Sequence, residues 1–202
     1  MIKDLLQERI TAKWWNDSQV EDKKLKYILD CIYNAPSKNG NFEYEVFVSK
    51  SEEFKNWLYY KNTCCLNGVR GAEGDGVRRY NGQVLAPVIL TWIASDKDKE
   101  TYADCIVSAT IAMVAAEEIG LQTGFCGCIE PGKVAKKLDR SGKTAAIILG
   151  IGYIDQLDTD PIRKVYKDGV ELGWDHANVK PNIAISSRNK KPDQFELIKF
   201  YR

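Results

Sequence analysis

Asp104-Cys105-Ile106-Val107-Ser108-Ala109-Thr110-Ile111-Ala112-Met113-Val114-Ala115-Ala116-Glu117-Glu118-Ile119-Gly120-Leu121-Gln122-Thr123-Gly124-Phe125-Cys126-Gly127 joins a long apolar helix directly to a glycine-rich run. From Cys105 the helix carries no charge until Glu117 and Glu118, and Ile106, Ala109, Ile111, Ala112, Met113, Ala115 and Ala116 cover more than one of its faces. A helix that is apolar nearly all round is buried on most sides. The run is shorter than the ~20 apolar residues that span a bilayer. It is therefore either the central helix of a soluble core or a helix lying across a subunit interface. Gly120 stands where a helix ends on a left-handed residue, and Gly124 and Gly127 let the backbone come close to something.

A chain of 202 residues is long enough for one well-packed domain. With 29 Lys and Arg against 28 Asp and Glu, the net charge of +1 gives no reason to expect nucleic acid or an anionic membrane as partner. Specificity has to come from a local pocket. The opening residues form an amphipathic pattern containing Glu8 instead of an apolar signal core, which implies a cytoplasmic protein. The 6 cysteines read as reduced thiols in a chain of this size. Neither Cys64-Cys65 nor Cys126-x-Cys128 has the Cys-x-x-Cys spacing of a zinc site, so no metal is expected and core or pocket-lining thiols are the favoured reading. His176 is the only histidine, which excludes a two-histidine metalloprotease motif.

Outward from the central stretch, Ile2, Leu5, Leu6 and Ile10 recur at helical spacing, and an extended segment follows that places Arg9, Thr11 and Lys13 on one face. Two cations flanking a hydroxyl can grip a phosphate; the same pattern also describes a solvated edge. Ser18 and Glu21 have capping-box spacing before a helix running to about Asn34, and Pro36 ends it. The loop Ala35 to Asn41 leads into a strand from Glu43 to Ser49, and Ser51 caps a helix reaching about Lys61 with Phe54, Trp57 and Leu58 inward. The glycine-rich stretch 62–80 reads as a lid-like loop over a site. Val84 to Ala94 reads as a buried strand, Pro131 to Leu138 as a short helix, Asp139 to Gly142 as a turn and Thr144 to Ile151 as an apolar strand. The order of elements indicates an α+β domain occupying residues 1–202.

Several local signals stand in one order: Arg9-x-Thr11-x-Lys13, Ala35-Pro36-Ser37, Ala86-Pro87, Gly120-Leu121-Gln122-Thr123, Leu149-Gly150-Ile151-Gly152-Tyr153 and Arg188-Asn189-Lys190-Lys191-Pro192. In that order the chain resembles the nitroreductase family of FMN-dependent oxidoreductases over nearly its whole length. The resemblance implies a mixed, mainly antiparallel central sheet flanked by helices, and a homodimer whose long interface helices pack between subunits, with FMN bound at the interface. It implies cofactor contacts at Arg9, Ile10, Thr11, Lys13, Pro36, Ser37, Lys38, Asn39, Asn81, Phe125, Cys126, Gly127, Arg188 and Lys190. Arg9 and Thr11 would hold the phosphate from one side and Arg188 and Lys190 from the other, because a doubly charged phosphate wants several cations. Lys13 would lie at the pyrimidine end of the flavin, Ser37 and Asn39 near the ribityl chain or ring edge, and the Phe125-Cys126-Gly127 backbone along the N5 side.

Two departures from the family pattern stand out. Gly40-Asn41-Phe42-Glu43-Tyr44 replaces the usual Asn-x-Gln-Pro-Trp, and the insertion at about 158–182 matches no pattern. The activity implied is hydride transfer from NAD(P)H through FMN N5 to a nitroaromatic, quinone, enone or halogenated aromatic, with the protein tuning the cofactor instead of carrying a catalytic side chain of its own. Tyr59, Tyr60 and Tyr80 are candidates for the acceptor side. The alternative is a flavin-binding variant with little turnover, or with dehalogenating or flavin-degrading chemistry.

Overall fold

The computed structural model describes residues 2–9, 11–12, 15–40, 42–61, 82–95, 99–127, 129–154, 166–167 and 170–171. The elements in chain order are α1 (Ile2–Glu8), α2 (Asp22–Tyr33), β1 (Tyr44–Ser49), α3 (Glu52–Lys61), β2 (Val88–Ser95), α4 (Lys99–Glu118), β3 (Gln122–Cys126), α5 (Pro131–Lys137) and β4 (Lys143–Gly152). Short 3-10 turns occupy Lys38–Gly40 and Gly82–Leu85, and Tyr166–Lys167 (β5) pairs with Val170–Glu171 (β6) in a separate ladder. The stretch 62–80 and the rest of the insertion lie outside the described residues.

The sheet runs β1-β2-β4-β3 with every ladder antiparallel, and a single parallel bridge joins Thr11 to Thr123 at its β3 edge. The mainly antiparallel sheet of an α+β fold is thus present. Alternation of side chains across the strands divides the core in two. Leu90, Trp92, Leu149 and Ile151 face α2 and α4, together with Ile28, Ala109, Ala112 and Ala116. Ile89, Ile93, Cys126 and Ile148 face the other way, against Phe54 and Leu58 of α3 and Val134 of α5. β2 is covered on both faces, which is why its sequence is continuously apolar. Among the described residues Trp92 is the largest fully buried side chain, and its Nε1–H donates to Ser108 Oγ of α4 at 3.1 Å, so the indole is buried without an unpaired donor.

α4 extends six residues further towards the N-terminus than its uncharged run, from Lys99 to Asp104, and it ends as the glycine requires. Gly120 has φ +77°, Gly120 N–H donates to the Glu117 carbonyl at 3.1 Å and Leu121 N–H to the Ala116 carbonyl at 2.9 Å. This is a Schellman closure, which turns the chain straight into β3. Ser51 caps α3 as expected, its Oγ accepting from Phe54 N–H at 3.2 Å.

Two expectations are corrected. The capping box at Ser18 does not form: Ser18 N–H donates to Asn16 Oδ1 at 2.9 Å, Glu21 accepts from Tyr153 OH at 2.7 Å, and α2 starts only at Asp22. The local Asx turn and the distant phenol take up the groups that the box would have used. The strand expected from Val84 begins at Val88, because Pro87 has no N–H for the ladder and the preceding residues close a 3-10 turn instead.

Gly124 answers what its backbone comes close to. A Cβ there would overlap the Ala12 carbonyl oxygen and approach Gln83 Cγ to 2.8 Å, so the N-terminal segment crosses the sheet edge where only glycine fits. At Gly127 the nearest atom to such a Cβ is Ile147 Cδ1 at 3.9 Å. Gly124→Ala is therefore expected to lower stability by roughly 2–3 kcal/mol in urea denaturation, whereas Gly127→Ala leaves the midpoint within experimental error.

Glu45 on β1 gives a pH-dependent case. Its carboxylate accepts from Arg140 Nε at 2.8 Å and Lys143 Nζ at 2.9 Å, and these cations hold its pKa below the ordinary 4.5. With the side chain 38% exposed, solvent screens the pairs to about 1 kcal/mol or less. A pKa lowered on folding stabilises above the ordinary value, and the contribution is lost as the pH falls through the folded one. The stability gap between wild type and Glu45→Gln, present at pH 7, should close as the pH is taken below 4.5.

Candidate functional site

The N-terminal segment carries the first half of the site. Ala12 N–H donates to the Thr123 carbonyl at 2.8 Å, Asn16 N–H to the Tyr153 carbonyl at 2.9 Å, and Trp15 Nε1–H to the Gly82 carbonyl at 2.9 Å. These bonds fasten an otherwise irregular segment to the end of the sheet, beside β3. Within it Arg9 Nη1 donates to Thr11 Oγ1 at 3.3 Å, so the guanidinium and the hydroxyl share one side of the chain, as the alternating spacing requires. The bridge between Thr11 and Thr123 then sets this pair two residues before Phe125.

Along β3, Phe125 packs partly into the α2–α4 core, Cys126 is 2% exposed in the opposite core, and Gly127 is exposed. Only the backbone of this stretch remains to meet a ligand. The described cysteines, Cys31, Cys105 and Cys126, are thiols. Burial first, and the Asp104 carboxylate second, push the Cys105 thiol up to about 12, which removes it from thiolate chemistry. Among the described residues no cluster of side chains has metal-ligating geometry, and no helix is long and apolar enough to cross a membrane.

The second half is the loop after α2. Pro36 is exposed, while Ser37 Oγ is buried and has no hydrogen-bond partner. Lys38 turns away: its ammonium pairs with Glu100 and its backbone N–H donates to Asp104 Oδ2 at 3.0 Å, both on α4. Buried polar atoms without partners are few in native proteins, and two more flank the first half: Thr123 Oγ1 and Gln83 Oε1, on residues 1% and 6% exposed. Tyr59 packs partly against the α3 side of the core. Ile10, Lys13, Tyr80, Asn81, Arg188 and Lys190 lie outside the described residues, and of Asn39 and Tyr60 only the backbone is described.

The structure thus brings Arg9 and Thr11 to Thr123 near the start of β3, two residues before Phe125, and sets the Ser37 loop apart, towards the N-terminal end of α4. Sequence reasoning passed over Gln83 and Thr123, whose burial comes from segments distant in sequence, and over Glu100 and Asp104. The spacing of those two carboxylates, one turn apart at the head of α4, was the available signal.

Comparison with known proteins bears on the fold and the family. No curated protein matches the chain by sequence. Among solved structures, an FMN-dependent nitroreductase from Clostridium difficile is 25% identical, with a TM-score of 0.59 over 88% of this chain and 97% of that one. A nitroreductase with bound FMN from Desulfitobacterium hafniense is 16% identical, with a TM-score of 0.67 over 78% of this chain and 90% of that one. Iodotyrosine deiodinase, solved with FMN and 3-iodo-L-tyrosine, shares the fold at 19% identity, with a TM-score of 0.65 over 83% of this chain and 97% of that one. The family model described as the nitroreductase family matches residues 6–153, a span that starts before Arg9 and ends at the close of β4. With that match over most of its length, the chain belongs to the nitroreductase family.

Proposed function

We propose that this protein is an FMN-dependent oxidoreductase that passes hydride equivalents from NADH or NADPH to a small organic acceptor. The observation that carries the reading is the docking of Arg9 and Thr11 against the start of β3. The residues present suit the cofactor: a guanidinium and a hydroxyl side by side for phosphate, buried hydroxyls at Ser37 and Thr123 without partners, and an exposed backbone at Gly127. FMN, when bound, supplies the redox chemistry; the chain supplies charge, orientation and walls. Arg9 and Thr11 would give charge-assisted and neutral donors to the phosphate, Ser37 would offer a hydroxyl, and the Phe125–Gly127 backbone would face the flavin. Ile10, Lys13, Asn39, Asn81, Arg188 and Lys190 join the proposal through the family pattern, as do Tyr59, Tyr60 and Tyr80 on the acceptor side. The acceptor belongs to the nitroaromatics, quinones, enones or halogenated aromatics, and the enzyme works in the cytoplasm as one unit over residues 1–202.

A homodimer is part of the same proposal. The Ser37 loop is tied to Asp104, whereas Arg9 and Thr11 meet β3 just past the other end of α4. From Asp104 to Glu118 the helix rises about 20 Å at about 1.5 Å per residue. One copy therefore sets the two halves of the site far apart, and a second copy lying across α4 completes each pocket. The outer face of α4 suits this, with Tyr102 46% and Val107 41% exposed and Ala103 exposed beside them.

The visible spectrum of purified protein, before and after addition of FMN and desalting, tests the cofactor. A retained flavin spectrum bleached by NADH or NADPH is expected; a colourless protein that does not hold FMN would sink the reading. Arg9→Ala is expected to weaken FMN binding by one to two orders of magnitude, for the loss of a charge-assisted contact of roughly 1.5–3 kcal/mol. Unchanged affinity in that variant would put the phosphate elsewhere. Sedimentation at twice the chain mass is the expected result for assembly.

A further inference from the structure

We propose that Asp104 is a positioning residue for the cofactor pocket, holding the loop after α2 at Lys38 and so fixing where Ser37 is presented. This rests on the FMN reading above and adds to it a residue that does not itself touch the cofactor.

The contacts come from one stripe of α4. Asp104 Oδ2 accepts the backbone N–H of Lys38, the first residue of the Lys38–Gly40 turn, at 3.0 Å. One turn earlier, Glu100 pairs with the Lys38 ammonium. Beside it, Thr101 Oγ1 donates to Glu43 Oε2 at 3.4 Å, at the far end of the loop. One turn later, Ser108 holds the Trp92 indole and hydrogen-bonds Tyr44, the first residue of β1. Residues 100, 104 and 108 share a helical face, so the loop and the strand after it are fastened along one line. At its other end the loop is fastened by α2, where Ala35 N–H donates to the Ile32 carbonyl at 3.1 Å.

The three ties to the loop differ in what they can do. The Lys38–Glu100 pair joins side chains that are 49% and 55% exposed, and solvent leaves such a pair little hold on the backbone. Thr101 binds a side chain near β1. Asp104 alone among them grips a backbone group of the loop, and that group follows Ser37 directly. A carboxylate on a free N–H at the start of a helical turn does the work of an N-cap, here supplied from 66 residues away. Ser37 Oγ, next to the gripped amide, is buried with no partner among the atoms present, which marks it as the group being presented. Lys38 by the same geometry anchors the loop through its backbone N–H.

The test combines FMN titration with amide hydrogen exchange on Asp104→Ala, Asp104→Asn, Ser37→Ala and the double variant Asp104→Ala/Ser37→Ala. An asparagine keeps an oxygen that accepts from Lys38 N–H, so Asp104→Asn should bind FMN within about threefold of wild type, while Asp104→Ala should bind about tenfold more weakly. Exchange at the Lys38 amide, measured without FMN, should accelerate in Asp104→Ala and not in Asp104→Asn. The double variant should bind no more weakly than Ser37→Ala, because the aspartate acts through the serine. Wild-type affinity in Asp104→Ala, equal losses in Asp104→Ala and Asp104→Asn, or fully additive losses in the double variant would each overturn the proposal. If the wild-type protein holds no FMN, it is the functional reading that falls, and unaltered Lys38 exchange in Asp104→Ala would overturn the tie as well.

Discussion

A helix that has apolar residues on every side must be covered on more sides than one sheet can reach. α4 meets this constraint with β2 and β4 beneath it, α2 beside it and α1 against it, and it still leaves Tyr102, Ala103 and Val107 outward. The rest of the structure follows from where that helix lies. Trp92 reaches Ser108 from the sheet, the Gly120 closure throws β3 back along the sheet edge, and β3 in turn provides the backbone on which the N-terminal segment docks. Burial supplies the driving force, while a few buried hydrogen bonds and one glycine set the register.

The two ends of α4 have different chemistry, and the proposed cofactor contacts divide between them. The C-terminal end, apolar and closed by Gly120, leads to the Thr123 edge where Arg9 and Thr11 are brought in. The N-terminal end is polar, and Glu100, Thr101 and Asp104 receive the loop that carries Ser37. A single helix thus connects two candidate half-sites that no local stretch of sequence joins. Tyr102, Ala103 and Val107 are the exposed face on which the proposed second copy would pack to bring the two together.

Close approach of backbone to backbone explains the glycines better than mobility does. Gly124 meets the Ala12 carbonyl, Gly150 the Gln83 carbonyl and Gly152 the Pro87 ring, all where one segment lies directly over another. Gly124 pairs with Gly150 across β3 and β4, so the two form one bare patch on the sheet. The 3-10 turn and the N-terminal segment both settle on it. The motif Gly-Leu-Gln-Thr-Gly is accordingly a packing signal for the chain's own fold before it is a ligand signal.

The sequence by itself determined the element types, because periodicity is a local property: the apolar run of α4, the stop at Gly120, the cap at Ser51 and the continuous apolar strand after Pro87 are all legible in neighbouring residues. It also carried the order of motifs that marks the family, and the shared face of Arg9 and Thr11. Tertiary structure decided what depends on distant partners. Asn16 and Tyr153 took the groups that a capping box at Ser18 needed, and Glu100 on α4 became the partner of the Lys38 ammonium. Tertiary structure also set the Ser37 loop at one end of α4 and the Arg9–Thr11 pair at the other. A hydrogen bond or ion pair forms with whichever group the fold brings within about 3 Å, and for residues 66 apart, as in Lys38 and Asp104, only the packed chain settles which group that is.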